Sequence, residues 1–264
     1  MPTGAMEFSI LLPAFLAGLL VLSTHVPLGQ QVLSRGIVFI DLAIAQVAGL
    51  GVTIAGAFQA EPHGWTVQLA ACLAALLGAL LLTWTEKKWP EVQEALIGVL
   101  FVAAASAELL LLANNPRGGE HLKDLLVGQI LWVSTASLWP TALFYAVALA
   151  IWFRFRARIG LVGFYVLFAL VVTESVQLVG VYLVFASLIV PALAARRFAE
   201  NLRLWVGYGV GIAGYVMGLV ASSIWDLPTG AAVVVTLVLA FAVAVVVSLM
   251  VPRSLRSEAT PAVV

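Results

Sequence analysis

The sequence predicts an all-α polytopic membrane protein with eight to nine transmembrane helices, and three observations carry that prediction. Of 264 residues, 63% are hydrophobic and 10% charged, against about a quarter charged in an average soluble domain. Apolar stretches close to the ~20 residues needed to cross the hydrocarbon core recur along the whole chain. Lys and Arg concentrate in every second polar break between them, as expected when basic loops are kept on one side of a bilayer. A soluble enzyme fold cannot hide this much apolar surface. The formal net charge of zero gives no support to nucleic-acid binding.

In order, spans are expected near residues 8–28, 37–58, 65–85, 92–114, 137–153, 159–176, 178–195, 204–224 and 229–250, in a single transmembrane domain covering 1–264. That makes nine crossings, or eight if one segment is re-entrant. The breaks fall at Gly29 to Gly36, Glu61 to Gly64, Glu86 to Lys88, Asn114 to Lys123, Arg154 to Arg158, Arg196 to Arg203 and Asp226 to Pro228. With the N-terminus outside, Arg35, Lys87, Lys88, Arg154, Arg156, Arg158, Arg196, Arg197, Arg203, Arg253 and Arg256 all fall inside. The 159–195 block divides only at Thr173 to Gln177, so a broken helix pair fits it as readily as two crossings.

Residues 1–7 carry no Lys or Arg, so the first stretch reads as a permanent span rather than a cleaved signal. Trp65, Trp84, Trp89, Trp139, Trp152 and Trp225 lie at span ends, where an amphipathic ring suits the headgroup level. Gly207, Gly209, Gly211, Gly214 and Gly218 allow helices to approach closely. Cys72 is the lone cysteine, which excludes an intrachain disulfide and any multi-cysteine metal cluster. No Gly-Lys-Ser/Thr phosphate loop occurs, so any ATP used must bind another chain.

Ionisable residues inside a span are costly and mark functional positions by default. His25, Asp41, Glu94, Glu108 and Glu174 are those residues, with Gln46 as a neutral companion. Carboxylate, imidazole and amide groups suit a divalent metal such as Mn, Zn or Fe. Asp41 and Gln46 are five residues apart, about 140° round a helix, so one can line a path while the other bonds a neighbour. Asp41 also reads as a helix-start carboxylate near the positive dipole end. His25 reads equally as a backbone-bonded structural residue, Glu94 as a first-turn cap, and Glu108 as a partner of a neighbour such as His25. The outer loop Arg117 to Asp124 offers Glu120 and His121 for metal capture or contact with a delivery protein.

At this point a resemblance enters. Asp41 early in the second span, followed by the small-residue run Ala45 to Gly51, resembles the permeases of zinc/manganese/iron ABC importers. Glu94-Ala95-Leu96-Ile97-Gly98 is similar to that family's acidic-start fourth span, and Leu126 to Ser134 to its Leu-Phe-Gly-Asp-Ile-Leu-x-Val-Ser segment. Val176 to Arg196, ending Val190-Pro191-Ala192-Leu193-Ala194-Ala195-Arg196, resembles its Ile-Pro-Ala-x-x-Ala-Arg ending, and Asp226 to Gly230 fits its entry into the last span. The resemblance implies a non-enzymatic permease subunit in a bacterial cytoplasmic (inner) membrane, with a second permease copy, a cytoplasmic ABC ATPase and an extracytoplasmic metal-binding protein. It implies no permanently bound cofactor: the divalent metal, zinc or manganese, is cargo, and ATP sits on the partner. Asp41, Gln46, His25, Glu94 and Glu108 are then the metal candidates. Pro191, Arg196, Arg197 and Arg203 are the candidates for ATPase coupling.

Two departures stand out. Members commonly carry His four residues after the aspartate, where this chain has Ala45, and the basic loop at 154–158 is short. Competing readings are a proton-coupled secondary carrier, which needs inverted repeats that the sequence does not display, and an intramembrane enzyme, which needs a catalytic cluster that His25, His63 and His121 do not form. A metal chelate is the alternative cargo.

Overall fold

The structure is a computed structural model, and it describes residues 3–58, 65–112, 126, 128, 130–155 and 158–250. Among these residues there are nine α-helices and no strand: α1 (Thr3–Arg35), α2 (Ile40–Phe58), α3 (Trp65–Lys88), α4 (Gln93–Leu112), α5 (Thr135–Phe155), α6 (Gly160–Val179), α7 (Val181–Ala195), α8 (Glu200–Trp225) and α9 (Thr229–Met250). Seven helices are long and apolar enough to cross a membrane, and α2 and α7 are shorter apolar ones. Helices suit lipid because every backbone donor and acceptor is satisfied within the segment.

Polar contacts between helix ends define the two faces of the bundle. At one end Arg35 pairs with Glu86 at 3.4 Å, its guanidinium lies 4.7 Å from the Phe164 ring, and the Phe39 amide donates to Glu94 Oε1. The ends of α1 and α3 and the starts of α2, α4 and α6 therefore lie together. A small cavity lined by Gln30, Ser34, Arg196 and Arg203 adds the end of α7 and the start of α8. At the opposite end, Gln68 of α3 and Thr141 of α5 both donate to Glu174 of α6. The helices thus alternate in direction, and the described basic residues gather at the first end.

Two sequence expectations differ from the structure. The first span does not stop at residue 28: α1 runs through Gly29 to Arg35, because Gly29 is where the Leu188 carbonyl of α7 presses against α1, leaving no room for a Cβ. The division of the 159–195 block is not at Thr173 to Gln177. Thr173 and Ser175 return their hydroxyls to the Ala169 and Val171 carbonyls at 2.8 and 2.7 Å, and α6 continues to Val179. The break is Gly180, with φ 85° and ψ 160°, a region open essentially to glycine alone. Pro191 lies inside a continuous helix, α7, which passes through it to Ala195. Trp152, near the end of α5, is buried against Phe164, with ring centroids 6.0 Å apart, so at its span end it packs on protein.

The glycine stripe of α8 divides between two neighbours. Gly207 and Gly211 admit Val26 and Leu22 of α1, whereas Gly214 and Gly218 admit Leu237 and Val233 of α9; nothing approaches Gly209. Substitution at Gly180 tests the break. Gly180→Ala places a side chain where only glycine is comfortable, so about 1–3 kcal/mol of strain is expected. A lower thermal midpoint of the detergent-solubilised protein than that of the parent checks it.

Candidate functional site

The ionisable residues fall at three levels of the bundle. Nearest the basic end is Asp41, in the first turn of α2, fully buried. The amides of Asp41 and Leu42 surround it with the positive field of a helix start. Among the described residues, neither carboxylate oxygen finds a partner in hydrogen-bond geometry. Glu94, in the first turn of α4, accepts from the Phe39 amide at 3.2 Å through Oε1 and leaves Oε2 unbonded. Both carboxylates therefore stand at the helix starts that meet at this end.

A second level holds Glu108, fully buried on α4. Gln46 Nε2 donates to its Oε2, and Thr53 Oγ1 donates to its Oε1 at 3.0 Å. The expected link between Glu108 and His25 is replaced by this link to α2. Gln46 and Asp41 stand on different sides of that helix, as their spacing requires, so Gln46 meets Glu108 while Asp41 does not. His25 lies within the long α1 rather than at its end, and its Nδ1 donates to the Val21 carbonyl at 2.9 Å. Its Nε2 is buried without a hydrogen-bond partner.

A third level, at the far end, is the Glu174 cluster. Gln68 and Thr141 donate to its two oxygens at 3.1 and 2.7 Å, and the cluster borders a cavity of about 620 Å³ shared with Trp132, Ser137 and Gln177. Among the described residues, no group of three or more His, Cys, Asp and Glu gathers where one ion could be held. The five metal candidates are thus spread along the bundle instead of forming one closed cage. Glu120 and His121 lie outside the described residues.

Sequence reasoning passed over Thr53 and the network around Gln93. Thr53 is seven residues after Gln46, two turns along one helix face, so its partnership was readable from spacing once Glu108 was known. Gln93 has no such signal. Its amide donates to the Leu82 carbonyl and to Tyr165 at 3.0 and 3.1 Å, and its carbonyl accepts from Thr85 at 2.9 Å. Tyr165 in turn donates to Glu86.

A second cavity, of about 570 Å³, runs between α2 and α4 on one side and α7 and α9 on the other. Among the described residues that line it, only Gln46 and Tyr182 carry polar side-chain atoms. Of the coupling candidates, Pro191 is buried inside α7, Arg196 and Arg197 are exposed at its end, and Arg203 is half-buried with Nε donating to the Phe198 carbonyl at 3.3 Å.

The chain matches a family model, the ABC 3 transport family, over residues 7–164 and 155–248. The chain belongs to this family. It is 24% identical over 249 residues to the high-affinity zinc uptake system membrane protein ZnuB of Haemophilus influenzae, covering 86% of this chain and 94% of that one. It is 25% identical over 260 residues to the manganese transport system membrane protein MntC of Halalkalibacterium halodurans, covering 90% and 87%. In fold it matches PsaBC from Streptococcus pneumoniae in complex with Fab, with a TM-score of 0.73 at 20% identity over 92% of this chain and 93% of that one.

The Gln93 network is separable from the buried carboxylates by mutation. Gln93→Leu removes one acceptor and one donor group from a buried network, a loss of about 1–3 kcal/mol. A reduced unfolding midpoint for the purified variant, measured beside the parent, checks it.

Proposed function

We propose that the chain is the membrane-spanning permease subunit of an ABC importer that carries a divalent transition metal, zinc or manganese, across a bacterial inner membrane. Family membership and the zinc and manganese transport names of the relatives support the class. The observation that carries the metal reading is Asp41, a fully buried carboxylate whose two oxygens have no hydrogen-bond partner. Such a group is costly in a membrane unless a cation meets it during function. Glu94, at the same end, supplies a second carboxylate on the exit side, and Gln46, Glu108 and His25 offer further donor atoms on neighbouring helices.

The positive-inside rule makes the end that carries Arg35, Lys87, Lys88, Arg196 and Arg197 cytoplasmic. Metal then enters from the Glu174 end, delivered by an extracytoplasmic metal-binding protein, and leaves past Asp41 and Glu94 through a path completed by a second permease copy. ATP is hydrolysed on a separate cytoplasmic ATPase, since this chain has no phosphate loop. Arg196, Arg197 and Arg203, where α7 turns into α8, form the contact for that ATPase. Because α7 packs on α1, α8 and α9, a push at this turn reaches the wall of the cavity beside Gln46 directly. Pro191, one turn earlier, lacks an amide donor and leaves α7 easier to bend at that point.

Two measurements test the reading. Asp41→Ala is expected to lower metal accumulation at least about tenfold at unchanged membrane abundance; uptake equal to the parent would overturn the role of Asp41. Reversing charge at the α7–α8 turn, with Arg196→Glu and Arg197→Glu together, is expected to reduce the ATPase that copurifies with the permease. Undiminished copurification removes those arginines from the contact.

A further inference from the structure

We propose that Glu108, Gln46 and Thr53 form a separate cation station on the outer part of the path, suited to a divalent cation that accepts oxygen ligands, with Mn²⁺ as the transition-metal case. The inference rests on the permease reading above and extends it to the chemistry of the cargo.

Three features of the structure combine. The first is position. Glu108 is 14 residues beyond Glu94 on α4, about 21 Å along the helix, so it cannot share an ion with the Asp41 and Glu94 level. The second is access. Gln46 lines the cavity of about 570 Å³, and so do Ala105 and Leu109, which flank Glu108 on α4. Among the described residues the remaining lining is apolar apart from Tyr182, and none of them brings a carboxylate to it. A cation in this cavity therefore finds its compensating charge at the wall where Gln46 meets Glu108.

The third feature is the donor set. Glu108 contributes two carboxylate oxygens, each already addressed by a different α2 side chain. Gln46 and Thr53 are two turns apart on one face of α2, so both remain aimed at the same carboxylate. Amide and hydroxyl each carry acceptor capacity as well as a donor. A half-turn of the Gln46 amide about its soft terminal torsion presents its oxygen, and the Thr53 hydroxyl turns its lone pairs inward. The set then consists of carboxylate, amide and hydroxyl oxygens, with no imidazole or thiolate. Carboxylate and carbonyl oxygens suit Mn²⁺, whereas imidazole and thiolate favour Zn²⁺. The residue one turn after Asp41 is Ala45, so α2 brings no imidazole to the wall either.

The test measures initial uptake of radiolabelled Mn²⁺ and Zn²⁺ over a range of concentrations in cells carrying the full transporter, with membrane abundance measured for each variant. Glu108→Gln is expected to raise the Mn²⁺ concentration for half-maximal uptake roughly tenfold or more. Glu108→His, which adds a nitrogen ligand, is expected to shift the Mn²⁺ to Zn²⁺ rate ratio toward Zn²⁺ by a few-fold or more. A merely structural role for Glu108 does not move that ratio. Parental half-saturation in Glu108→Gln with an unchanged ratio in Glu108→His overturns the station while leaving the permease reading intact. A parent that imports neither ion overturns the permease reading itself, and the station with it. If both Glu108 variants fail to reach the membrane, Thr53→Ala decides: a raised half-saturation for Mn²⁺ supports the station and an unchanged one overturns it.

Discussion

A carboxylate surrounded by hydrocarbon must draw its donors from protein, because no water competes for it there. In this chain the donors come from other helices. Glu86 on α3 is met by Arg35 of α1 and Tyr165 of α6. Glu108 on α4 is met by two side chains of α2, and Glu174 on α6 by α3 and α5. Glu94 on α4 is met by the chain entering α2. Each acid is thereby a cross-link, joining α1, α3, α5 and α6 in one set and α2 with α4 in another, and the Gln93 amide of α4, donating to Tyr165 of α6, connects the two. Asp41 stands apart, because its oxygens have no such donor.

The other half of the bundle is joined differently. Helices α1, α7, α8 and α9 meet through close apolar packing, in which Gly29, Gly207, Gly211, Gly214 and Gly218 remove side-chain bulk at the crossing points. Lipid is as apolar as leucine, so such crossings rely on shape and van der Waals contact. Hydroxyl pairs add to this: Ser187 meets Tyr215 at 2.9 Å and Ser222 meets Thr229 at 2.7 Å. The cavity beside Gln46 lies where the acid-linked helices face the glycine-packed ones, between α2 and α4 and the pair α7 and α9. The two bodies have different kinds of internal bonding, share α1, and face each other along this cavity. The turn between α7 and α8 belongs to the second body, so force applied there acts on one wall of the cavity.

Gly180 links these two bodies. Its backbone conformation ends α6, the innermost acid-linked helix, and starts α7, the first glycine-packed one. Gly128 presses against the same point, where a Cβ would meet the Val179 carbonyl. Both glycines have positive φ. The turn is thus held by close backbone contact from a segment distant in sequence.

Composition and charge placement by themselves determined that the chain crosses a membrane many times as helices, because burying 63% hydrophobic residues in lipid leaves only that solution. They also picked out Asp41, Glu94, Glu108 and Gln46, since an acid or amide is conspicuous in an apolar run. Helix ends were less legible. Thr173, Ser175 and Pro191 have the composition of breaks, yet hydroxyls can bond back to the preceding turn, and tertiary packing carries α7 through its proline. The break at Gly180 depends on a φ value that no local pattern displays. Pairings were decided only by tertiary structure. Whether Glu108 meets His25 or Gln46 depends on which helices become neighbours, and a spacing rule works within one helix but not between two. For the same reason Asp41, equally visible in the sequence, is set apart only by its surroundings: it alone of these acids has neither oxygen hydrogen-bonded.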